Sequence, residues 1–188
     1  MTPPAVLLAR LGDRGRDELV SALGAERGRA VAELLGSQAE AWGRELGDGQ
    51  LHVFEPGADL GEEVVRIAGQ ADRPVAVLWP ALARPRPDLS RSVVDDLAAG
   101  CDVVFGPLVD GGLYLLGFQR PLPLVTDLLE GGLAPDGFAA ALSVAAESGL
   151  EIGYLRPERS LASLDGVALA LADPLTPENI KNLLQTGA

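Results

Sequence analysis

Three short stretches of this 188-residue chain hold side chains that could do chemistry. The first is Asp110-Gly111-Gly112, a few residues after the apolar run Val103-Val104-Phe105. Adjacent glycines permit positive φ and let main chain approach a ligand closely, while Asp110 presents one carboxylate. The same residues also read as an ordinary Asp-Gly strand connection with no ligand. Tyr114 alternates with Leu113 and Leu115, so its ring points to the opposite side, toward a cleft or the core. The second stretch holds Arg10, Arg14 and Arg16 around Gly12 and Gly15. Guanidinium forks suit phosphate oxygens, although Asp13 sets a negative charge among them and a solvated surface loop is the other reading. The third is Asp173, a weak candidate metal ligand that reads more readily as a helix-entry or surface acid.

Other chemistries are excluded by counts. A lone cysteine, Cys101, rules out an internal disulfide and a cysteine-cluster metal site, and it lacks cationic neighbours that would activate a thiolate. A lone histidine, His52, rules out a two-histidine zinc site and reads as a packed or edge residue. Any metal must then rest on carboxylates, which select hard ions such as Mg²⁺ or Mn²⁺. With 27 Asp and Glu against 15 Lys and Arg, the net charge is −12, which argues against a nucleic-acid partner along a broad face. All the cations but Lys181 are arginines. No apolar run approaches a membrane span, and Met1–Ala5 carries no secretory signal, so a soluble, cytoplasmic protein is expected. The apolar content, 47%, is enough for a large core and compatible with a homodimer.

These residues sit between alternating short apolar runs and helical stretches. That pattern predicts a single α/β domain over 1–188, with a mostly parallel sheet flanked by helices in three layers. Strands are expected at Ala5–Ala9, Leu51–Phe54, Val75–Trp79, Asp102–Phe105, Leu113–Phe118 and Ile152–Leu155. Helices are expected from Arg16 to Leu46 with a break at Gly24, near Val64–Ala68, near Leu89–Leu97 ending at Gly100, near Leu122–Leu129, at Phe138–Ser148, and from Thr176 onward. Asp165-Gly166 reads as a turn. Ligands of such sheets bind beyond the carboxyl ends of the strands, which nominates the loops Arg10–Arg16, Pro80–Pro87 and Gly106–Gly112.

The segment Gly106-Pro107-Leu108-Val109-Asp110-Gly111-Gly112-Leu113-Tyr114-Leu115-Leu116-Gly117 resembles a bacterial family of glycosyltransferase-A-like transferases, the SpsA-like and radical-SAM/selenodomain-associated transferases. The likeness extends to Leu19–Leu35, to the order of strand, proline loop, helix and strand before the Asp-Gly-Gly turn, and to Asp173-Pro174-Leu175-Thr176-Pro177-Glu178-Asn179-Ile180. It implies a Rossmann-like nucleotide-diphospho-sugar transferase fold and a nucleotide or nucleotide-sugar ligand. It further implies a catalytic Asp110, a ligand-binding role for Gly111, Gly112, Tyr114, Arg10, Arg14 and Arg16, and Mg²⁺ or Mn²⁺ in an active member.

Three departures qualify that implication. The family's lysine-bearing phosphate loop is replaced by Ala9-Arg10-Leu11-Gly12-Asp13-Arg14-Gly15-Arg16. The carboxylate that follows the family's third strand is missing from Leu78-Trp79-Pro80-Ala81-Leu82, where Trp79 stands to stack on a ring or to join the core. Leu175 and Asn179 replace acids of the C-terminal motif. Two readings stay open: a nucleotide-dependent transferase with worn phosphate and metal grips, or a degenerate relative that binds, regulates or assembles.

Overall fold

The computed structural model describes residues 3–54, 59–71, 73–120 and 122–185, without the side chains of Asp13, Arg14 and Ala71. Six strands form one sheet: β1 (Ala5–Ala9), β2 (His52–Phe54), β3 (Val75–Leu78), β4 (Val103–Pro107), β5 (Leu113–Phe118) and β6 (Ile152–Tyr154). Their order across the sheet is β2-β1-β3-β5-β4-β6. β5 alone runs antiparallel, wedged between β3 and β4, and the other pairings are parallel. The short Asp110-Gly111-Gly112 turn produces this reversal, because a hairpin-length connection can only join antiparallel strands.

Eight helices complete the described chain: α1 (Asp13–Leu23), α2 (Ala25–Leu46), α3 (Leu60–Ala71), α4 (Pro87–Ala99), α5 (Val125–Leu129), α6 (Gly137–Glu147), α7 (Leu164–Ala172) and α8 (Glu178–Leu184). Every residue of β1, β3, β4 and β5 is buried, so these strands read as continuous apolar runs rather than as alternations. Side chains still alternate between two cores. Val6 and Leu8 join Leu19, Leu35, Trp42, Val93 and Leu184 on the face covered by α1, α2, α4, α7 and α8. Ala5, Leu7 and Ala9 join Val64, Ile67, Leu128 and Ala141 on the face covered by α3, α5 and α6. The three layers expected from the sequence are present.

Most boundaries fall within a residue or two of expectation. Gly24 separates α1 from α2 at φ 83°, and Gly100 closes α4 in the left-handed region at φ 108°. Two elements differ. The last helix starts one position later than its Thr-Pro-Glu signature suggests, with Pro177 at the N-cap. The Asp165-Gly166 segment, read as a turn, lies inside α7, which is capped by Ser163 accepting from Gly166 N at 3.2 Å. The histidine on β2 is exposed, at the sheet's edge.

Candidate functional site

The carboxyl ends of β1, β3 and β4 meet at one rim of the sheet, where the strand order departs from chain order. Two different environments lie along that rim.

Over β1 there is a cavity of about 510 Å³, lined by Leu8, Arg10, Leu11, Arg16, Val20, Arg29 and Pro80 and by one face of α2. Its size falls in the range of small-ligand sites, roughly 300–1,000 Å³. Arg10 leaves the last position of β1 with its N–H bonded to Phe54 O at 3.2 Å, which fixes the backbone while the side chain stays exposed. The next residues open α1 at once. Gly12 at its N-cap has no side chain to satisfy the first-turn N–H groups, so they face the rim with the positive end of the helix dipole. Arg16 stands one turn inside α1. Arg29 comes from α2, a contribution that no local motif announced. Arg14 also belongs to α1, but its side chain lies outside the described residues.

Over β3 and β4 the rim is closed. Pro80, Ala81 and Leu82 are all buried, and Leu161 N donates to Ala81 O at 2.8 Å. The chain after β6 lies across this end, bonded through Leu155 N to Phe105 O and Glu158 N to Pro107 O. Trp79 is core: it packs among the residues beneath α3 and α5. Tyr114, expected to touch ligand, is fully buried beside Trp42, with ring centroids 6.0 Å apart. Its hydroxyl donates to Arg156 O at 3.0 Å. Burial pushes the phenol's pKa well up, reinforced by the charge of Glu158. A Cβ on Gly106 would stand 2.6 Å from Tyr114 Cε2, so the ring occupies space that only glycine leaves.

The glycines after Asp110 have an intramolecular reason. Gly111 has φ 96°, and a Cβ there would stand 1.8 Å from Pro135 O. A Cβ on Gly112 would stand 2.9 Å from Leu133 O. Phe138 N donates to Gly111 O at 2.9 Å, and Leu113 N to Gly132 O at 2.8 Å. The turn is thus shaped to receive the 131–137 segment against its backbone. Asp110 itself accepts a 2.6 Å hydrogen bond from Ser163 Oγ through Oδ2. Its Oδ1 is buried and, among the described residues, unpartnered. Ser163 was not visible as a partner because 53 positions separate it from Asp110.

Among the described residues no three His, Cys, Asp or Glu side chains converge to hold an ion. Asp173 is ion-paired with Arg159 and accepts from Leu175 N at 2.9 Å, so it shapes a turn after α7. Asp88 pairs with Arg86 at 3.0 Å and does not enter the place left by the absent acid. Asp173 and Asp88 thus each spend their carboxylate on a neighbouring arginine. Burial and the carboxylates of Asp96, Glu151 and Asp102 push the Cys101 thiol upward, which opposes thiolate formation.

This α/β architecture is shared with solved structures. It superposes with a TM-score of 0.70 on a Desulfovibrio desulfuricans G20 protein provisionally described as a nucleotide-diphospho-sugar transferase, covering 98% of this chain and 94% of that one at 17% identity. A hypothetical transferase from Thermus thermophilus matches at TM-score 0.47 and 17% identity, over 82% of this chain and 93% of the other. No family model and no curated protein sequence matches the chain. At this identity the likeness establishes the fold alone.

Proposed function

We propose that the protein binds a nucleoside diphosphate or nucleotide-sugar in the cavity over β1, on a glycosyltransferase-A-type scaffold from which metal-dependent transfer has been lost. The observation that carries this reading is the cavity itself, with Arg10, Arg16 and Arg29 placed at the carboxyl end of β1 beside the start of α1. Phosphate oxygens match guanidinium forks and the orphan N–H groups of a helix start. Leu8, Leu11, Val20 and Pro80 supply apolar wall for a nucleoside. The apolar closure over β3 and the ion pair of Asp173 support the loss of the metal-dependent step.

A second reading, transfer with Asp110 as the acting carboxylate, is favoured by its unpartnered Oδ1. One experiment separates the two. Melting temperature is measured with UDP, GDP, CDP and ADP, with either EDTA or excess Mg²⁺ or Mn²⁺, beside an assay for hydrolysis of the corresponding nucleotide-sugars. The binding reading expects a rise with at least one nucleotide that survives EDTA, a loss of roughly tenfold or more in affinity for Arg29→Ala, and no turnover. Metal-dependent turnover that vanishes in Asp110→Asn would establish the second reading. The absence of any shift with every nucleotide would remove both.

A further inference from the structure

The cavity is longer than a phosphate site needs. Its α2 wall is formed by Gly28, Arg29, Ala32, Glu33, Gly36, Ser37 and Glu40, which recur at three- and four-residue intervals along one helix face. Close packing fixes the direction of α2. A Cβ on Gly43 would lie 3.4 Å from Val6 Cγ1, and one on Gly47 3.1 Å from Val6 Cγ2, so the C-terminal end of α2 lies over the start of β1. Its N-terminal turns therefore lie toward the carboxyl end, where Arg10 emerges. Arg29 stands there, Glu33 follows one turn along, and Glu40 about 16 Å from Arg29 along the axis. The wall is thus polarised along α2: cationic at the rim, anionic farther along the helix. Among the described residues Arg29, Glu33 and Glu40 make no ion pair or side-chain hydrogen bond with each other or with any other group. Ser37, also on this wall, spends its donor on Leu34 O at 2.9 Å.

A carboxylate at that end of the wall selects among bases. Carboxylate oxygens accept and never donate. Uracil presents a single N–H flanked by two carbonyls, which carboxylates repel. Adenine and cytosine offer an amine beside a ring lone pair, which opposes the second carboxylate oxygen. Guanine alone presents two adjacent N–H donors, from N1 and the exocyclic amine, that match both oxygens of one carboxylate. We infer that the cavity selects a guanine nucleotide, with the diphosphate at Arg10, Arg16 and Arg29, the ribose hydroxyls at Glu33 and the guanine edge at Glu40. This rests on the reading of the cavity as a nucleotide site.

Calorimetric titration of the full chain with GDP, ADP, CDP and UDP in EDTA tests it. The expected result is GDP binding at least ~10-fold more tightly than UDP or ADP. Glu40→Gln, an isosteric change on a partly exposed helix face, abolishes that preference by weakening GDP while UDP affinity does not fall. Arg29→Ala weakens all four alike. Equal affinities for GDP and UDP, or a Glu40→Gln protein that keeps the preference, would overturn the base assignment while the cavity reading stands. Failure of every diphosphate to bind would overturn the cavity reading, and this assignment with it.

Discussion

Tyr114 illustrates how one side chain divides between two roles that local pattern cannot separate. Its alternation with Leu113 placed it opposite those neighbours, but not on a cleft or a core. The structure sets it in the core, with Gly106 making room for the ring and Arg156 O accepting the hydrogen bond of its hydroxyl. Because the phenol is neutral when protonated, burial raises its pKa in the folded state above the ordinary value near 10. The folded chain then holds a proton that the unfolded chain releases. Stability is complete below about pH 10 and falls as pH rises beyond it. Tyr114→Phe should flatten this alkaline loss in denaturation curves taken across pH 8–11. At neutral pH it should cost about 1 kcal/mol, since the carbonyl of Arg156 loses its partner. An unchanged alkaline slope would dissociate the effect from Tyr114. The same logic applies to Gly111 and Gly112. Their types were readable as a special turn, while the 131–137 segment that requires them was not, because nothing local encodes which distant backbone packs there.

At the scale of elements, α7 was the one helix hidden from periodicity. Leu164-Asp165-Gly166-Val167-Ala168-Leu169-Ala170-Leu171-Ala172 is apolar on most sides and contains a turn-like Asp-Gly pair, so it lacks the polar stripe that marks an amphipathic helix. Leu164, Leu169 and Leu171 accordingly remain exposed. What starts the helix is Ser163, whose hydroxyl accepts from Gly166 N while donating to Asp110 Oδ2. The turn before β5 and the start of α7 are thereby tied by one hydroxyl. Ser163→Ala should cost about 1 kcal/mol by loss of the cap alone. Combined with Asp110→Ala, the two changes should be non-additive by about 1 kcal/mol in urea denaturation, the signature of a direct bond. Strict additivity would mean that the pair contributes nothing to holding α7 against the sheet. Strands were easier to place than this helix, since fully buried runs such as Val75–Leu78 leave little alternative.

The whole molecule carries −12 in 188 residues, with an isoelectric point near 4.4. Compaction brings like charges together, so self-repulsion destabilises the folded state at neutral pH. Raising ionic strength from about 0.01 to 0.15 M shortens the screening length from roughly 30 to 8 Å. The melting temperature should therefore rise with salt at pH 7.5 and respond little near pH 4.5; a fall at neutral pH would show that local ion pairs outweigh the global field. That same field makes the arginines over β1 more informative, because cations gathered on an acidic molecule oppose its overall trend. By itself the sequence determined the α/β class, the strand runs, the exclusion of an internal disulfide and of cysteine-cluster or two-histidine metal sites, and the absence of an acid after Leu78. Those follow from residue type and near-neighbour spacing. Only the tertiary structure decided that Tyr114 is core, that Asp110 meets Ser163, and that Arg29, Glu33 and Glu40 share a cavity with Arg10. The reason is physical: periodicity reports which side of an element is buried, whereas a site is made where separate elements converge, and that convergence depends on packing across the whole sheet.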